Sequence, residues 1–226
     1  MTIVAGSENK EPPCSNPEGK EETNIIRQTF LKALYSLVFT LEAKNKYTSG
    51  HSQRVTKVAV AMARELKMPK QYIEQIRIAG LLHDVGKVGV DDTILNKQEQ
   101  LTEEEFRHIA SHSTLGERIL RPIIDEQEIL KTVKHHHEQY DGTGYPDGLK
   151  ARYIPVGARI LAVADAYDAM TSNRPHRKAM TSLLTVIELK ARSGTQFDPI
   201  AVNALILAQS RLAKSKNPKQ AIVNYT

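Results

Sequence analysis

The sequence has few of the features that mark secreted or membrane proteins. It contains a single cysteine, Cys14, so no internal disulfide can form. No apolar run approaches the ~20 residues that a membrane helix needs. The N-terminus, MTIVAGSENKEPPCSNPEGK, has no basic start followed by a continuous apolar stretch, which argues against a secretory signal. These absences predict a soluble chain of the reducing cytoplasm that contacts no membrane.

Strand-like alternation of apolar and polar residues is almost absent, and no internal repeat is visible, whereas helical spacing is frequent. Segments with helical spacing begin near Ile26, His51 and Ile73, at the capping-box pair Thr102 and Glu105, and then cover residues 126–136, 155–171, 183–192 and 199–213. The sequence therefore predicts an all-α helical bundle of about seven to eight helices.

Length and composition indicate the domain organisation. The 226 residues, 40% hydrophobic and 25% charged, are typical of one soluble domain with a substantial core. Residues 1–23 are rich in Pro, Gly, Ser, Asn and charge, so we expect a disordered leader. The domain is expected over residues 24–213, followed by a tail over 214–226. The net charge of +5 points only weakly to phosphate, and no nucleic acid polymer is expected as a partner.

Histidine and aspartate residues gather in a few short segments. They are His51, the pair His83 and Asp84, His112, the run His135 to His137, and Asp165. Each lies at the end or on the inward face of a predicted helix, so a bundle would collect them in one pocket. Unpaired polar groups are costly to bury, and metal ions supply a partner. Since one carboxylate can bridge two cations ~3.5 to 4 Å apart, we predict Asp84 as the bridge of a two-metal site.

Three longer motifs carry a family resemblance. The segments GLLHDVGKVGV, HHHEQYDGTGYPDGL and IPVGARILAVADAYDAMTSNRP resemble the HD-GYP subfamily of the HD-domain metal-dependent phosphohydrolases. The resemblance extends from about Leu41 to Pro199. The His-Asp pair alone would be weak evidence, but its combination with the two later motifs is highly specific.

The resemblance implies two sets of metal ligands that share Asp84. One set is His51, His83, Asp84 and Asp165, and the other is Asp84, His112, His136 and His137. Family members with a third metal have a glutamate four positions before the first histidine, where this chain has Tyr47, so we expect two metals. Imidazole with carboxylate suits iron, manganese or zinc, and the resemblance favours iron or manganese.

Three further histidines, His108, His135 and His176, fall outside the family pattern and are expected to be exposed or to lie behind the ligands. Asn45, Ala151 and His176 also depart from residues that are usual in the family, glycine in the case of Ala151. None of these departures removes a predicted ligand.

The predicted catalytic residues are Asp84 and Lys87. Two cations that share a water lower its pKa enough to give a metal-bridging hydroxide near neutral pH. In-line attack expels a ribose 3′ oxygen, whose developing charge needs cationic donors. Lys87 resembles the family lysine that contacts the phosphate. Arg174 and Arg177 match family positions that meet the ligand, and a guanidinium can hold a phosphate or a guanine edge.

The segment from Asp141 to Gly148, DGTGYPDG, is dense in turn-forming residues and predicts a loop, called the GYP loop below. It can shape the pocket or serve as a docking surface. The resemblance leaves its direct catalytic role open.

The resemblance implies a phosphodiesterase that hydrolyses the 3′-5′ bond of cyclic di-GMP to linear pGpG, with GMP as an open further product. Cyclic GMP-AMP is an alternative substrate, because few hydrogen bonds distinguish the bases. A different class is a catalytically weak cyclic-dinucleotide sensor, or a docking module that binds diguanylate cyclases (GGDEF proteins) through the GYP loop. An HD-domain enzyme for mononucleotides or guanosine tetraphosphate would not need the second set of histidines. The sequence is also compatible with a homodimer.

Overall fold

The computed structural model describes residues 50–173 and 178–214, together with separate positions between 29 and 42. The chain divides into two compact units, Met1–Ser36 and Leu37–Thr226. The described positions of the first unit are helical, and the Ser36 hydroxyl donates to the carbonyl of Lys32 at 3.1 Å. The predicted leader, the apolar positions of the first predicted helix and all of the predicted tail except Lys214 lie outside the described residues.

Nine α-helices with described bounds lie in the second unit, where Val38, Phe39, Thr40 and Glu42 are helical as well. The nine helices are α1 His51–Glu65, α2 Lys70–Leu82, α3 Asp92–Leu95, α4 Glu103–Ala110, α5 His112–Leu120, α6 Gln127–His135, α7 Val156–Thr171, α8 Ser182–Ala191 and α9 Pro199–Lys214. Short 3-10 helices cover Val85–Gly89 and Ala151–Tyr153. The prediction of an all-α fold is confirmed, and the prediction missed α3 and α5. No helix among the described residues is long and apolar enough to cross a membrane.

Helix α7 lies at the centre of the packing. Ile160, Leu161, Val163 and Ala164 are buried on it, because it contacts α1, α2, α6, α8 and α9. A helix that is apolar around most of its circumference is typical of such a central position. It therefore carries Asp165 into the interior of the domain.

The N-terminus of α1 is held from outside the helix. Gly50, the residue before it, has a left-handed backbone and provides no side-chain cap. The Glu42 carboxylate instead accepts hydrogen bonds from the backbone N–H groups of Gly50 at 2.6 Å and Ser52 at 2.8 Å. A carboxylate at this end also complements the helix dipole. Glu42 thus fixes the start of the helix at which His51 lies.

The turn after α2 lies directly against α5. A Cβ atom on Gly86 would lie 1.9 Å from the carbonyl oxygen of His112 and 2.5 Å from the backbone nitrogen of Gly116. Only glycine allows this approach. Because Asp84 immediately precedes the 3-10 turn that contains Gly86, the contact brings Asp84 next to the first residue of α5.

Candidate metal centre

Seven histidine and aspartate side chains converge in two groups. The first group is His51, His83 and Asp165, and the second is Asp84, His112, His136 and His137. Within each group the candidate ligand atoms lie within 4.8 Å of one another. These are the seven residues predicted from the sequence, and the two groups are consistent with a binuclear metal site.

The Asp84 carboxylate lies between the groups. Its Oδ1 atom is 3.5 Å from Nε2 of His112 in the second group. Its Oδ2 atom is 3.5 Å from Nε2 of His83 and 3.8 Å from Nε2 of His51 in the first group. One oxygen therefore faces each group, which is the arrangement that a bridging carboxylate needs.

Helix ends position most of these side chains. His51 and His112 are the first residues of α1 and α5, whereas His83 and His136 directly follow α2 and α6. Asp165 lies within α7. The carbonyl groups of a last helical turn have no partner within the helix, so a side chain just beyond that turn can hydrogen-bond to them.

Three of the histidines use such carbonyl groups. Nδ1 of His83 donates to the carbonyl of Gly80 at 2.8 Å. Nδ1 of His112 donates in the same way to the carbonyl of Ile109 at 2.6 Å. Nδ1 of His136 donates to the carbonyl of Val133 at 2.7 Å. A neutral imidazole that donates through Nδ1 has its lone pair on Nε2. All three rings therefore present Nε2 as an acceptor or metal ligand.

Among the residues that the structure describes, none donates a hydrogen bond to these Nε2 atoms. The Nε2 atom of His83 is buried and has no hydrogen-bond partner. The Nε2 atoms of His112 and His136 lie 3.4 Å apart, and both are acceptors once each Nδ1 donates to a carbonyl. Buried lone pairs that face each other are unfavourable without a cation between them. The donor set thus fits divalent metal ions.

His51 is oriented by the carboxylate of Asp168, which is not among the predicted site residues. Its Nδ1 atom contacts Oδ2 of Asp168 at 2.8 Å, and its Nε2 atom contacts Oδ1 of Asp165 at 3.2 Å. Asp168 also accepts hydrogen bonds from Nε of Arg54 at 2.6 Å and from Nη2 at 3.1 Å. The signal in the sequence was the spacing of Asp165 and Asp168, since residues three apart share a helix face.

Burial keeps three imidazoles neutral. It lowers the pKa of His112, lowers that of His136 well below its ordinary value, and lowers that of His137 to about 3. The neighbouring imidazoles act in the same direction. A neutral ring is the form that binds a metal ion.

The carboxylates of Asp84 and Asp165 are ionised although both side chains are partly buried. Burial raises the pKa of Asp84, but the charges of Lys87 and of protonated His51 outweigh it and hold that pKa well below its usual range. The hydrogen bond from His51 likewise lowers the pKa of Asp165 and outweighs the effect of burial, which raises it. In turn, burial opposes protonation of His51, but the hydrogen bonds to Asp165 and Asp168 raise its pKa to about 10. The centre therefore has a preference for positive charge.

Lys87 lies beside the carboxylate between the groups. Its ammonium group is 2.6 Å from Oδ2 of Asp84, and its side chain is 27% exposed. The side chain thus lies between the centre and solvent. Arg174 and Arg177, the other cationic residues of the prediction, lie outside the described residues, as do Asn45, Tyr47 and His176.

Two of the remaining histidines lie outside both groups. His108 is exposed, and its Nε2 atom accepts a hydrogen bond from the backbone N–H of Asp91 at 3.4 Å. His135 is buried, with Nδ1 on the carbonyl of Lys131 at 2.8 Å and Nε2 on the Asp147 carboxylate at 3.0 Å. His135 therefore links α6 to the GYP loop.

Comparison with known proteins places this centre in a family. The model of the HD domain matches residues 37–200. A cyclic di-GMP phosphodiesterase of Pseudomonas aeruginosa is 40% identical over 78% of this chain and 42% of its own length. A cyclic di-GMP phosphodiesterase response regulator of Xanthomonas campestris pv. campestris is 35% identical over 84% of this chain and 50% of its own length. The chain thus spans half or less of the length of these relatives.

Other matches differ in the substrate that their names give, or support the fold alone. The 3′3′-cGAMP-specific phosphodiesterase 3 of Vibrio cholerae is 36% identical over 73% of this chain and 36% of its own length. The crystal structure of a cyclic GMP-AMP-specific phosphodiesterase of V. cholerae superposes with a TM-score of 0.63 at 18% identity, covering 83% of this chain and 49% of that chain. From the family model, the relatives and the His-Asp and GYP motifs, the chain belongs to the HD-domain family and to its HD-GYP subfamily.

Proposed function

We propose that the chain is a metal-dependent phosphodiesterase that hydrolyses a 3′-5′ bond of cyclic di-GMP to give linear pGpG, with GMP as a further product. The observation that carries the proposal is the position of Asp84, with one carboxylate oxygen facing each group of ligands. Relatives that are named cyclic di-GMP phosphodiesterases support the choice of substrate.

The proposed ligands divide into two sets that share Asp84. The first set is His51, His83, Asp84 and Asp165, and the second is Asp84, His112, His136 and His137. When bound, two divalent cations lower the pKa of the water between them and neutralise phosphate oxygens. Imidazole and carboxylate donors suit iron or manganese, which we favour, and also zinc.

The protein's own cationic residues complete the proposed chemistry. Lys87 is close enough to Asp84 to meet a phosphate oxygen at the centre, where its charge would stabilise the departing 3′ oxygen. Arg174 and Arg177 are proposed to hold the second phosphate or a guanine edge through paired hydrogen bonds. Asp84 and Lys87 are thus the proposed catalytic residues.

Cyclic GMP-AMP is the second candidate substrate, because relatives named for it match the chain at similar identity. A sensor, or a docking module for diguanylate cyclases that uses the GYP loop, is the alternative from a different class. All seven candidate ligands are in place, which favours the enzyme over a sensor. A homodimer is also proposed.

One experiment tests the proposed function. The protein is purified anaerobically, its metal content is measured, and it is incubated with each cyclic dinucleotide while linear products and GMP are separated by chromatography. We expect about two metal ions per chain and metal-dependent hydrolysis, with cyclic di-GMP cleaved faster. Bound metal without hydrolysis of either dinucleotide would favour the sensor or docking module.

Asp168→Ala is expected to weaken metal binding by about 10- to 100-fold, the range for loss of a carboxylate that orients a ligating histidine. His51 would lose the partner that fixes its Nδ1 atom. The measurement is the Mn²⁺ concentration that gives half-maximal turnover.

A matched control is Asp198→Ala, which also removes a buried carboxylate that is paired with an arginine. Asp198 pairs with Arg159 and caps the backbone of Ile200, and it contacts none of the candidate ligands. It should lower the melting temperature without changing the Mn²⁺ requirement. Equal Mn²⁺ requirements in the two variants would contradict the role of Asp168.

A further inference from the structure

His137 is the candidate ligand whose ring orientation has no hydrogen bond behind it. His83, His112 and His136 are each fixed through Nδ1 by a backbone carbonyl, and His51 is fixed by Asp168. Among the residues that the structure describes, neither ring nitrogen of His137 has a hydrogen-bond partner. Something else must orient this ring, because metal-ligating histidines are as a rule oriented through their second nitrogen.

The ring of His137 is oriented by contacts with other rings in place of a hydrogen bond. The ring centroid of His137 lies 4.0 Å from that of His136 and 5.1 Å from that of His112. Both of these are candidate ligands themselves. The remaining ring contact among the described residues is Tyr145 of the GYP loop, whose ring centroid lies 5.0 Å from that of His137 with an angle of 32° between the planes. Phe106 of α4 packs edge-to-face on Tyr145 at 5.7 Å, so Tyr145 is held between two rings.

The GYP loop is fastened to the segment that carries His137. The backbone N–H of Tyr145 donates to the carbonyl of His137 at 3.3 Å. The Glu138 carboxylate is buried and accepts from the backbone N–H groups of Asp147 at 2.8 Å and Leu149 at 3.0 Å. Gly144 completes the fit, since a Cβ atom there would lie 2.2 Å from the backbone nitrogen of Gln139.

The side chain of Asp147 adds a second attachment of the loop. It binds Nζ of Lys134 at 2.6 Å and Nε2 of His135 at 3.0 Å, both on α6. Tyr145 and the residues that follow it are therefore tied to the end of α6 and to the residues directly after that helix. The position of the tyrosine ring follows from these contacts.

We propose that Tyr145, held in place by Glu138, is the positioning residue for His137. Its ring supplies, through a tilted ring contact, what a hydrogen bond supplies for the other four histidines. The inference rests on the proposed function, because it requires His137 to be a metal ligand. It assigns the GYP loop a task within the metal centre, and it makes the aromatic ring of Tyr145, rather than its hydroxyl, the part that matters for metal binding.

The test is a titration of the metal-free protein with Mn²⁺ under anaerobic conditions, followed by calorimetry and by bound metal per chain. Tyr145→Leu should bind one of the two ions at least about 10-fold more weakly. Tyr145→Phe should match the wild type, because it keeps the ring. Excess Mn²⁺ should restore much of the turnover of Tyr145→Leu, which a misfolded protein would not show.

Two more variants make the result decisive. Tyr153→Leu is the matched control, because Tyr153 is 71% exposed. This variant should bind both ions with wild-type affinity. Glu138→Gln should weaken the binding of the same ion as Tyr145→Leu does. It replaces Tyr145→Leu as the test if the leucine variant does not fold. Normal binding of both ions by Tyr145→Leu, or an equal loss in Tyr145→Phe, would overturn the inference. Fewer than two ions bound by the wild type would instead defeat the proposed two-metal function on which it rests.

Discussion

Asp84→Asn is expected to lower the proposed turnover of cyclic di-GMP by about 10²- to 10³-fold, the range for loss of one preorganised electrostatic group at a reacting centre. The amide keeps the shape of the side chain but removes the charge that both groups of ligands face. Bound metal should fall as well, because an amide offers one neutral oxygen where the carboxylate offers two charged ones. Chromatographic assay and metal analysis of the purified variant measure both effects.

His108→Ala provides the control for this variant. His108 is exposed and belongs to neither group of ligands, although it is close in sequence to His112. Its replacement should leave metal content and turnover near the wild-type values. A loss of metal from His108→Ala would show that the ligand assignment is wrong, and normal turnover by Asp84→Asn would rule out the bridging role of Asp84.

Gly86→Ala is expected to destabilise the domain by about 3 kcal/mol or more, at the upper end of the range for overpacking. The added methyl group would meet backbone atoms of His112 and Gly116, and neither can move without moving α5. Since α5 begins at His112, the variant should also lose affinity for the second metal ion. Chemical denaturation gives the change in the free energy of unfolding, and Mn²⁺ titration gives the affinity.

Gly89→Ala is the matched control in the same 3-10 helix. There the new methyl group would meet the Cδ2 atom of Leu115, the far end of a flexible side chain that can rotate away. Gly89→Ala should lower the free energy of unfolding clearly less than Gly86→Ala does, and the variant should bind metal like the wild type. If the two alanine variants were equally stable, the close approach at Gly86 would not be what places Asp84 beside α5.

The helices were predictable where an apolar stripe is long or a cap is explicit. The capping box of Thr102 and Glu105 is present as predicted, with both of its hydrogen bonds. Helix α5 was missed, because it begins directly after Ser111 and its start has no side-chain cap. The packing of Gly86 against it is likewise invisible in sequence, since it depends on a contact between distant backbone segments.

The candidate ligands were predictable because histidine and aspartate side chains recur at helix ends and within specific motifs. The residues that hold these ligands in place were not predictable from the sequence. Asp168 acts on a histidine 117 positions away, so its spacing from Asp165 indicates a shared helix face but not the pairing with His51. Glu138 carries no signal beyond its place in the HHHE run, although its carboxylate holds the GYP loop. Ala151 stands where glycine is usual in the family, and its φ of 51° gives the physical reason for that preference.

The candidate ligands come from segments that are far apart in the chain, from His51 at the start of α1 to Asp165 within α7. Cations held at both groups would act as cross-links between these segments, in a chain whose single cysteine allows no covalent one. By mass action, one ion at 100 times its Kd would add about 2.7 kcal/mol to the free energy of unfolding. Metal supply would thereby set the stability of the folded domain.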